Sequence, residues 1–569
     1  MQDRYSKIPN HLRPYIVSQD YDDYTAIDHA CWRFIMRISK QFFKDHAHHA
    51  YLDGLKDTGI TIDSIPQISD MDDKLQEIGW RAVPVRGFLP PTIFMQFQAH
   101  SILPIASDMR TANHMTYTPA PDIVHEAAGH SPIIVDEDYS IFLKQYGACA
   151  TNALYSKEDH NIYLAIRRLS DIKEDPTAAS KDIKEAEENL QSCIDNTTFI
   201  SEAAYLARLN WWTVEYGLVG RREEPKIYGA GLLSSVAESY NAIHGNVKKI
   251  PLSLDCINYS YDITEQQPQL FVAKDFNHLS KVLNEFITKM AFVTGGIKSI
   301  QQSIKCQSVC TFTLDSGLQI SGIPSEVIGS EKEHYYIFGG PVQLSYNGKE
   351  LDGHGAQYHR NGFSSPLCSD EIINQIQSMD VNEKVSLNFS EGIKLTGILS
   401  KRLILEDKLL VASFIDCTIK NNDRLLFDSS WGTFDLACGD FVASVSGGPA
   451  DMQRYIEHMQ MELPNQIKPN YLLHHSKKEK NLIDLYHEVH IIKGQSTFNE
   501  DAIKTIIAKI DLLFPEEWLL RFEILEVLNA HEQSNLCMEI ESKILSIASR
   551  NQDLLTSVER RISQLSKSN

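Results

Sequence analysis

The chain has 569 residues, 43% hydrophobic and 23% charged, enough apolar material for buried cores and too much for a disordered polymer. Its 54 Lys and Arg against 75 Asp and Glu leave a formal charge of −21, which argues against a basic face for nucleic acid or an anionic membrane. With no window near ~18 uninterrupted apolar residues, no apolar signal core at the N-terminus and ten scattered cysteines without C-x-x-C, the expectation is a cytoplasmic protein with reduced thiols and no membrane span.

At roughly 100–200 residues per domain, two to four domains are expected, and the texture changes twice, dividing the chain into 1–300, 301–450 and 451–569. In the first stretch Ile27, Cys31, Phe34 and Ile35 fall on one helical face, with Asp23 and Thr25 placed to cap it. Residues 164–192 are rich in Lys, Glu and Asp and predict two solvated helices, read as an insertion. From about 305 to 450 the period changes to two. Cys310, Phe312 and Leu314 alternate with threonines, Asp315-Ser316-Gly317 supplies a turn, and Leu318 and Ile320 resume the alternation. The run Phe312–Ile323 lines up with Leu387–Ile398 at an offset of 75 residues, which predicts a duplicated β unit. Helix returns after 451. Ile503, Ile506, Ile507 and Ile510 share a face, and Pro515 before Glu516 and Glu517 reads as the first turn of a further helix. The fold class expected is α+β: a mostly helical catalytic part, a β-rich part and a helical C-terminal segment.

The chemistry sits in Pro121-Asp-Ile-Val-His125-Glu126-Ala-Ala-Gly129-His130-Ser-Pro132. Histidine spacing alone carries nothing. With 21 His in 569 positions, about one pair five apart is expected by chance, and His354 and His359 have the same spacing in a Gly-rich β context. On an ideal helix such a pair points about 140° apart, which speaks against the zincin arrangement of two His four apart. Gly129 and Pro132 predict that the helix stops there, so that His130 projects from unwinding chain. Glu215 lies in the aromatic run Trp211-Trp-Thr-Val-Glu-Tyr-Gly217, where a buried carboxylate is costly unless paired or metal-bound. Two imidazoles and one carboxylate form the facial triad of non-haem Fe(II) oxygenases, with open positions on one side.

At this point residues of about 20–290 resemble the pterin-dependent aromatic amino acid hydroxylases. The matching motifs, in order, are Tyr24–Trp32, Val83–Leu89, Tyr117–His130, Trp211–Leu218, Lys226–Ser235 with Glu238, and Tyr261–Pro268. The resemblance implies a mostly helical domain holding one Fe(II) on His125, His130 and Glu215, with tetrahydropterin and O2 as cosubstrates. It implies a pterin site at Gly87, Phe88, Leu89 and Phe94, with Phe94 on the ring, and a catalytic Glu126 facing the pterin. It assigns Arg110 to the substrate carboxylate, Tyr117, Thr118 and Pro119 to a substrate loop, Trp211 to the aromatic wall, and Ser234 and Glu238 to a polar pair behind them. Two positions depart from the family: Asn210 stands where many members have an aromatic residue, and Pro104 where many have a histidine. The implied reaction is ring hydroxylation of a free aromatic amino acid, with phenylalanine to tyrosine favoured over tryptophan or tyrosine as substrate. A competing reading from another class is a zinc metallohydrolase on the same three ligands, with Glu126 as base. The C-terminal half resembles no known family; it is read either as a module for homo-oligomer assembly or as helices packing within the chain.

Overall fold

The structure, a computed structural model, describes residues 4–115, 121–175, 178–261, 266–330, 334–389, 392–459, 475–495, 498–531 and 534–567. The architecture is α+β. Helix α1 (Ala26–His46) starts at a capping box in which Thr25 and Asp28 satisfy each other's backbone N–H. Its buried face includes Cys31, Phe34 and Ile35. Helices α2 (Ala50–Asp57) and α3 (Ile68–Glu77) follow. Strand β1 (Arg81–Val85), helix α4 (Pro91–Ala99) and strand β2 (Ile102–Ala106) then form a parallel crossover. This small unit matters for the site: the chain leaving β1 is the Gly87–Leu89 loop, and the chain leaving β2 reaches Arg110.

Helix α5 (Glu137–Asn152) packs behind α4. The charged segment forms α6 (Lys157–Glu174) and α7 (Ser180–Asp195). Only Ala186 of α7 is buried, in line with a solvated helix. The inner face of α6 is different, since Tyr163 is buried and donates its hydroxyl to the Phe88 carbonyl at 3.1 Å. Helix α8 (Glu202–Asn210), strands β3 (Leu218–Arg221) and β4 (Glu224–Ile227), helices α9 (Ala230–Leu233) and α10 (Val236–His244), and strands β5 (Lys248–Pro251) and β6 (Gln269–Ala273) complete the surroundings of the site.

Beyond α11 (Phe276–Ile287) the chain turns to sheet. Strands β7 (Cys310–Leu314), β8 (Leu318–Gly329) and β9 (His334–Tyr346) are followed by the short β10 (Lys349–Glu350) and by β11 (Gly362–Pro366), which returns to pair with β9. A second set runs β12 (Lys384–Asn388), β13 (Ile393–Leu405), β14 (Lys408–Asn421), β15 (Arg424–Phe427) and β16 (Phe434–Ala437), with β16 on β14. Phe312 faces Ile320 across β7 and β8, and Leu387 faces Leu395 across β12 and β13, each 75 positions on. The irregularities repeat too, at Ser321/Ile323 and Thr396/Ile398, and at Pro324/Glu326 and Leu399/Lys401.

The helices after residue 474 do not form a separate layer. Leu485, Ile503, Ile506, Ile510, Trp518 and Phe522 are buried in one core with Phe34 and Ile35 of α1. The isoleucine face read from the sequence is therefore covered within the chain. One helix boundary differs from the sequence reading. The helix expected to begin at Pro515 runs Leu519–Ala530, and Glu517 Oε1 accepts from the N–H of Leu519 and Leu520 at 3.1 and 3.2 Å, so Glu517 caps the helix instead of lying inside it.

Candidate metal centre and substrate cavity

His125 and His130 both lie on Val124–His130, which is wound as a π-helix. Hydrogen bonds there run between residues five apart, so such residues come to one face. This corrects the expectation that the helix stops at Gly129. His130 (φ −77°, ψ −47°) and Ser131 (φ −61°, ψ −43°) stay helical and run into the 3-10 turn Ser131–Val135. Gly129 serves close approach: a Cβ there would sit 2.7 Å from the Ala230 carbonyl oxygen, at the start of α9. Glu215 ends a second π turn, Trp211–Glu215, in which the Tyr216 N–H bonds the Trp211 carbonyl at 2.9 Å.

The two turns bring three side chains together. His125 Nε2 and His130 Nε2 are 3.2 Å apart, and each is 3.4 Å from a Glu215 oxygen. Ser234 Oγ gives its proton to the Ala230 carbonyl at 2.8 Å, so at 3.0 Å from His125 Nδ1 it accepts. That bond puts the imidazole proton on Nδ1 and leaves the Nε2 lone pair facing His130 and Glu215. Burial lowers the pKa of His125 to about 3, with the nearby Arg110 adding to the effect. Burial also holds His130 well below its usual range and raises Glu215 to about 8. Neutral imidazoles and a costly buried carboxylate are a donor set that fits a divalent cation.

Beside this trio lies a cavity of about 560 Å3, within the usual size for a small-molecule site. Gly87, Phe88, Leu89 and Phe94 line it, as do Arg110, Glu126, Trp211 and Ser234. Gly87 has φ +60°, a conformation that any side chain would strain. Glu126 is buried, and its Oε2 has no hydrogen-bond partner among the described residues. Its pKa is pushed well above the carboxylate range by burial, and further by Glu215 and Asp122.

Arg110 is held along one edge. Its Nε and Nη2 donate to Asp122 Oδ2 and Oδ1 at 2.7 and 2.8 Å, and Nη1 donates to the Ser234 carbonyl at 3.1 Å. Trp211 stacks on Tyr261, with ring centroids 4.3 Å apart and planes 11° apart, and its Nε1 donates to Gln267 Oε1 at 3.1 Å. Glu238 is buried on α10, behind this wall, where its carboxylate accepts from the Gln267 backbone. Asn210 faces Glu215 Oε1 at 3.5 Å and lines the cavity. Pro104 sits in β2 opposite Val83. Tyr117, Thr118 and Pro119 lie outside the described residues.

Sequence reading missed six contributors. Asp122 fixes Arg110 and also accepts from the His125 N–H at 3.0 Å. Tyr261 and Gln267 lie in a quoted motif without a role. Ile162, Tyr163 and Ile166 of α6 line the cavity, and their helical spacing at the edge of the charged segment was the available signal.

A sequence profile of the biopterin-dependent aromatic amino acid hydroxylases matches residues 15–163 and 199–295, leaving out most of α6 and all of α7. The phenylalanine-4-hydroxylase of Mesorhizobium japonicum is 28% identical over 269 residues, covering 47% of this chain and 81% of that protein. Those of Dictyostelium discoideum and Bos taurus are 29% and 28% identical over 270 residues each, 46% of this chain, which spans about half of their length (51% and 50%). A crystal structure of Chromobacterium violaceum phenylalanine hydroxylase with bound iron(III) and 7,8-dihydrobiopterin aligns with a TM-score of 0.38 at 22% identity, over 51% of this chain and 90% of that one. Residues 15–163 and 199–295, somewhat under half of the chain, are thus similar to the biopterin-dependent aromatic amino acid hydroxylases.

Proposed function

We propose that this protein is a monooxygenase that hydroxylates the ring of a free aromatic amino acid, converting phenylalanine to tyrosine. In this reading His125, His130 and Glu215 hold Fe(II), and a tetrahydropterin and O2 are cosubstrates. The observation that carries it is the convergence of three ligand side chains, with the two Nε2 atoms 3.2 Å apart and each 3.4 Å from a Glu215 oxygen, on the wall of the 560 Å3 cavity. Bound there, the iron and the reduced pterin would supply the electrons that activate O2.

The chain's own residues do the rest. Ser234 fixes the His125 tautomer. Gly87 and Leu89 present backbone groups, and Phe94 a ring face, to the flat pterin, while Tyr163 holds the loop through the Phe88 carbonyl. Glu126, whose pKa burial raises, faces the pterin side of the cavity. Arg110 meets the substrate carboxylate with the Nη protons that Asp122 and the Ser234 carbonyl leave uncommitted. Trp211, held by Gln267 and behind it Glu238, walls the ring, and the Tyr117–Pro119 segment contributes the substrate loop. The apolar lining from Leu89, Met95, Ile162 and Ile166 keeps water away.

A cytoplasmic location is proposed, which ten free cysteines support; no described helix is long and apolar enough to cross a membrane. Assembly of copies through the C-terminal region rests on the surface left after internal packing, around the exposed Leu512 and Met538, and light scattering would read it. The deciding experiment supplies Fe(II), tetrahydropterin and, in turn, phenylalanine, tyrosine and tryptophan, with products identified by mass spectrometry. Tyrosine formed from phenylalanine is expected. Turnover of none of the three, or pterin-independent hydrolysis with zinc, would overturn the proposal.

A further inference from the structure

The β region contains a second cluster with the donor types of the first. The connection from β10 to β11 carries His354 and His359, and β16 carries Asp435; all three are buried. His354 Nδ1 lies 3.2 Å from His359 Nε2, and Asp435 Oδ2 lies 3.9 and 4.0 Å from those same atoms. The N···O separations are too long for hydrogen bonds. A triangle with these sides has a circumradius of about 2.2 Å, at the upper end of zinc–ligand distances. One cation therefore reaches all three atoms where no direct bond links the carboxylate to the imidazoles. The N···N distance equals that between His125 and His130.

The surroundings suit a held ligand. Ser413 Oγ donates to Asp435 Oδ1 at 2.5 Å, fixing the carboxylate so that Oδ2 faces the histidines. His359 is pinned edge-on by Phe363 at 5.2 Å and by Tyr358 at 4.7 Å. Tyr358 is 54% exposed, so solvent lies close enough to complete the coordination shell. Burial depresses both imidazole pKa values, favouring the neutral form that binds metal.

The cluster is not a by-product of the repeated strands. Asp435 pairs with Ser413 on β14, which faces Lys401 on β13; 75 positions before Lys401, Glu326 faces Ile337, whose partner on β11 is Ser364. The first β unit thus has a serine where the second has a buried acid. The histidines come from the first unit and the acid from the second, so an ion here would join the two.

We propose that His354, His359 and Asp435 form a second metal site, for Zn2+ or a similar first-row divalent ion, that clasps the two β units together. It lies outside the hydroxylase part and does not depend on the function proposed above. The test titrates Zn2+ into the chelator-stripped full-length chain by calorimetry. Two tight equivalents are expected for the unaltered chain and one for His125→Ala. For His359→Gln one is expected, with hydroxylase activity after iron loading unchanged. In the His125→Ala background Zn2+ should raise the melting temperature, and His359→Gln should remove that rise. Asp435→Asn, which keeps the shape of the acid, repeats the measurement should His359→Gln fail to fold. A single equivalent in the unaltered chain that His125→Ala abolishes, or a folded His359→Gln or Asp435→Asn chain that still takes two, would overturn the site and leave a metal-free polar cluster.

Discussion

Arg33 and Glu523, 490 positions apart in the chain, form a buried two-bond ion pair, with Nε to Oε1 at 3.1 Å and Nη2 to Oε2 at 3.0 Å. Beside it Phe34 meets the edges of Trp518 and Phe522, each at 5.1 Å. The C-terminal helices are thus part of the core that holds α1. Glu523→Ala leaves a buried guanidinium without its carboxylate and is expected to cost about 3–5 kcal/mol, read from urea unfolding. A chain ending after residue 300 should expose this face and lose solubility or melting temperature. An unchanged melting temperature in either case would mean that the helices only rest on α1.

The same interface should respond to acid. Glu526 sits among Arg37, Lys493 and Arg561, from α1 and two C-terminal helices. Burial alone would raise its pKa, but Lys493, Arg37 and Arg561 together carry it below the ordinary glutamate range. The unfolded chain therefore takes up the proton first as pH falls. The stabilisation is fully present above the unfolded value, near ~4.3, and is lost as pH drops through the lower folded value. Glu526→Gln should flatten the fall in urea midpoint below about pH 5; an unaltered slope would move the acid sensitivity elsewhere.

Much of the site was legible because its residues lie in short runs. His125, His130 and Glu215 could be named from their neighbours, and the hydroxylase motifs ordered the rest. The winding that joins them could not be read. Spacing by five is compatible with a stopped helix or a π turn, and the choice depends on how closely Gly129 packs against Ala230. The isoleucine face of residues 503–510 showed that something covers it, but an amphipathic pattern does not name the partner, here the core around α1. His354 and His359 looked like chance because the acid that gives them meaning arrives on another strand of another unit.

Ser234 offers a test of how the metal centre is oriented. Its hydroxyl is committed to the Ala230 carbonyl and so can only accept from His125 Nδ1. Ser234→Ala should leave the fold intact, free the tautomer and ring angle of His125, and weaken iron binding by about 10–100-fold, measured by competition with a chelator. Undiminished iron affinity would show that the π turn alone fixes the ring.

Arg110 and Asp122 are a matched pair, so single substitutions confuse binding with stability. Arg110→Ala should raise the KM for the amino acid much more than that for the pterin. It also strands Asp122, which is 3% exposed, and should cost about 3–5 kcal/mol of stability. Asp122→Asn keeps the shape but loses the charge that aims the guanidinium, and should raise the amino-acid KM while costing less stability. The double variant Arg110→Ala with Asp122→Ala removes both charges and should recover part of the stability lost in Arg110→Ala without recovering KM. Urea melts and initial rates on the same four proteins separate the two effects. If KM returns when stability returns, Arg110 supports the cavity wall and something else receives the substrate carboxylate.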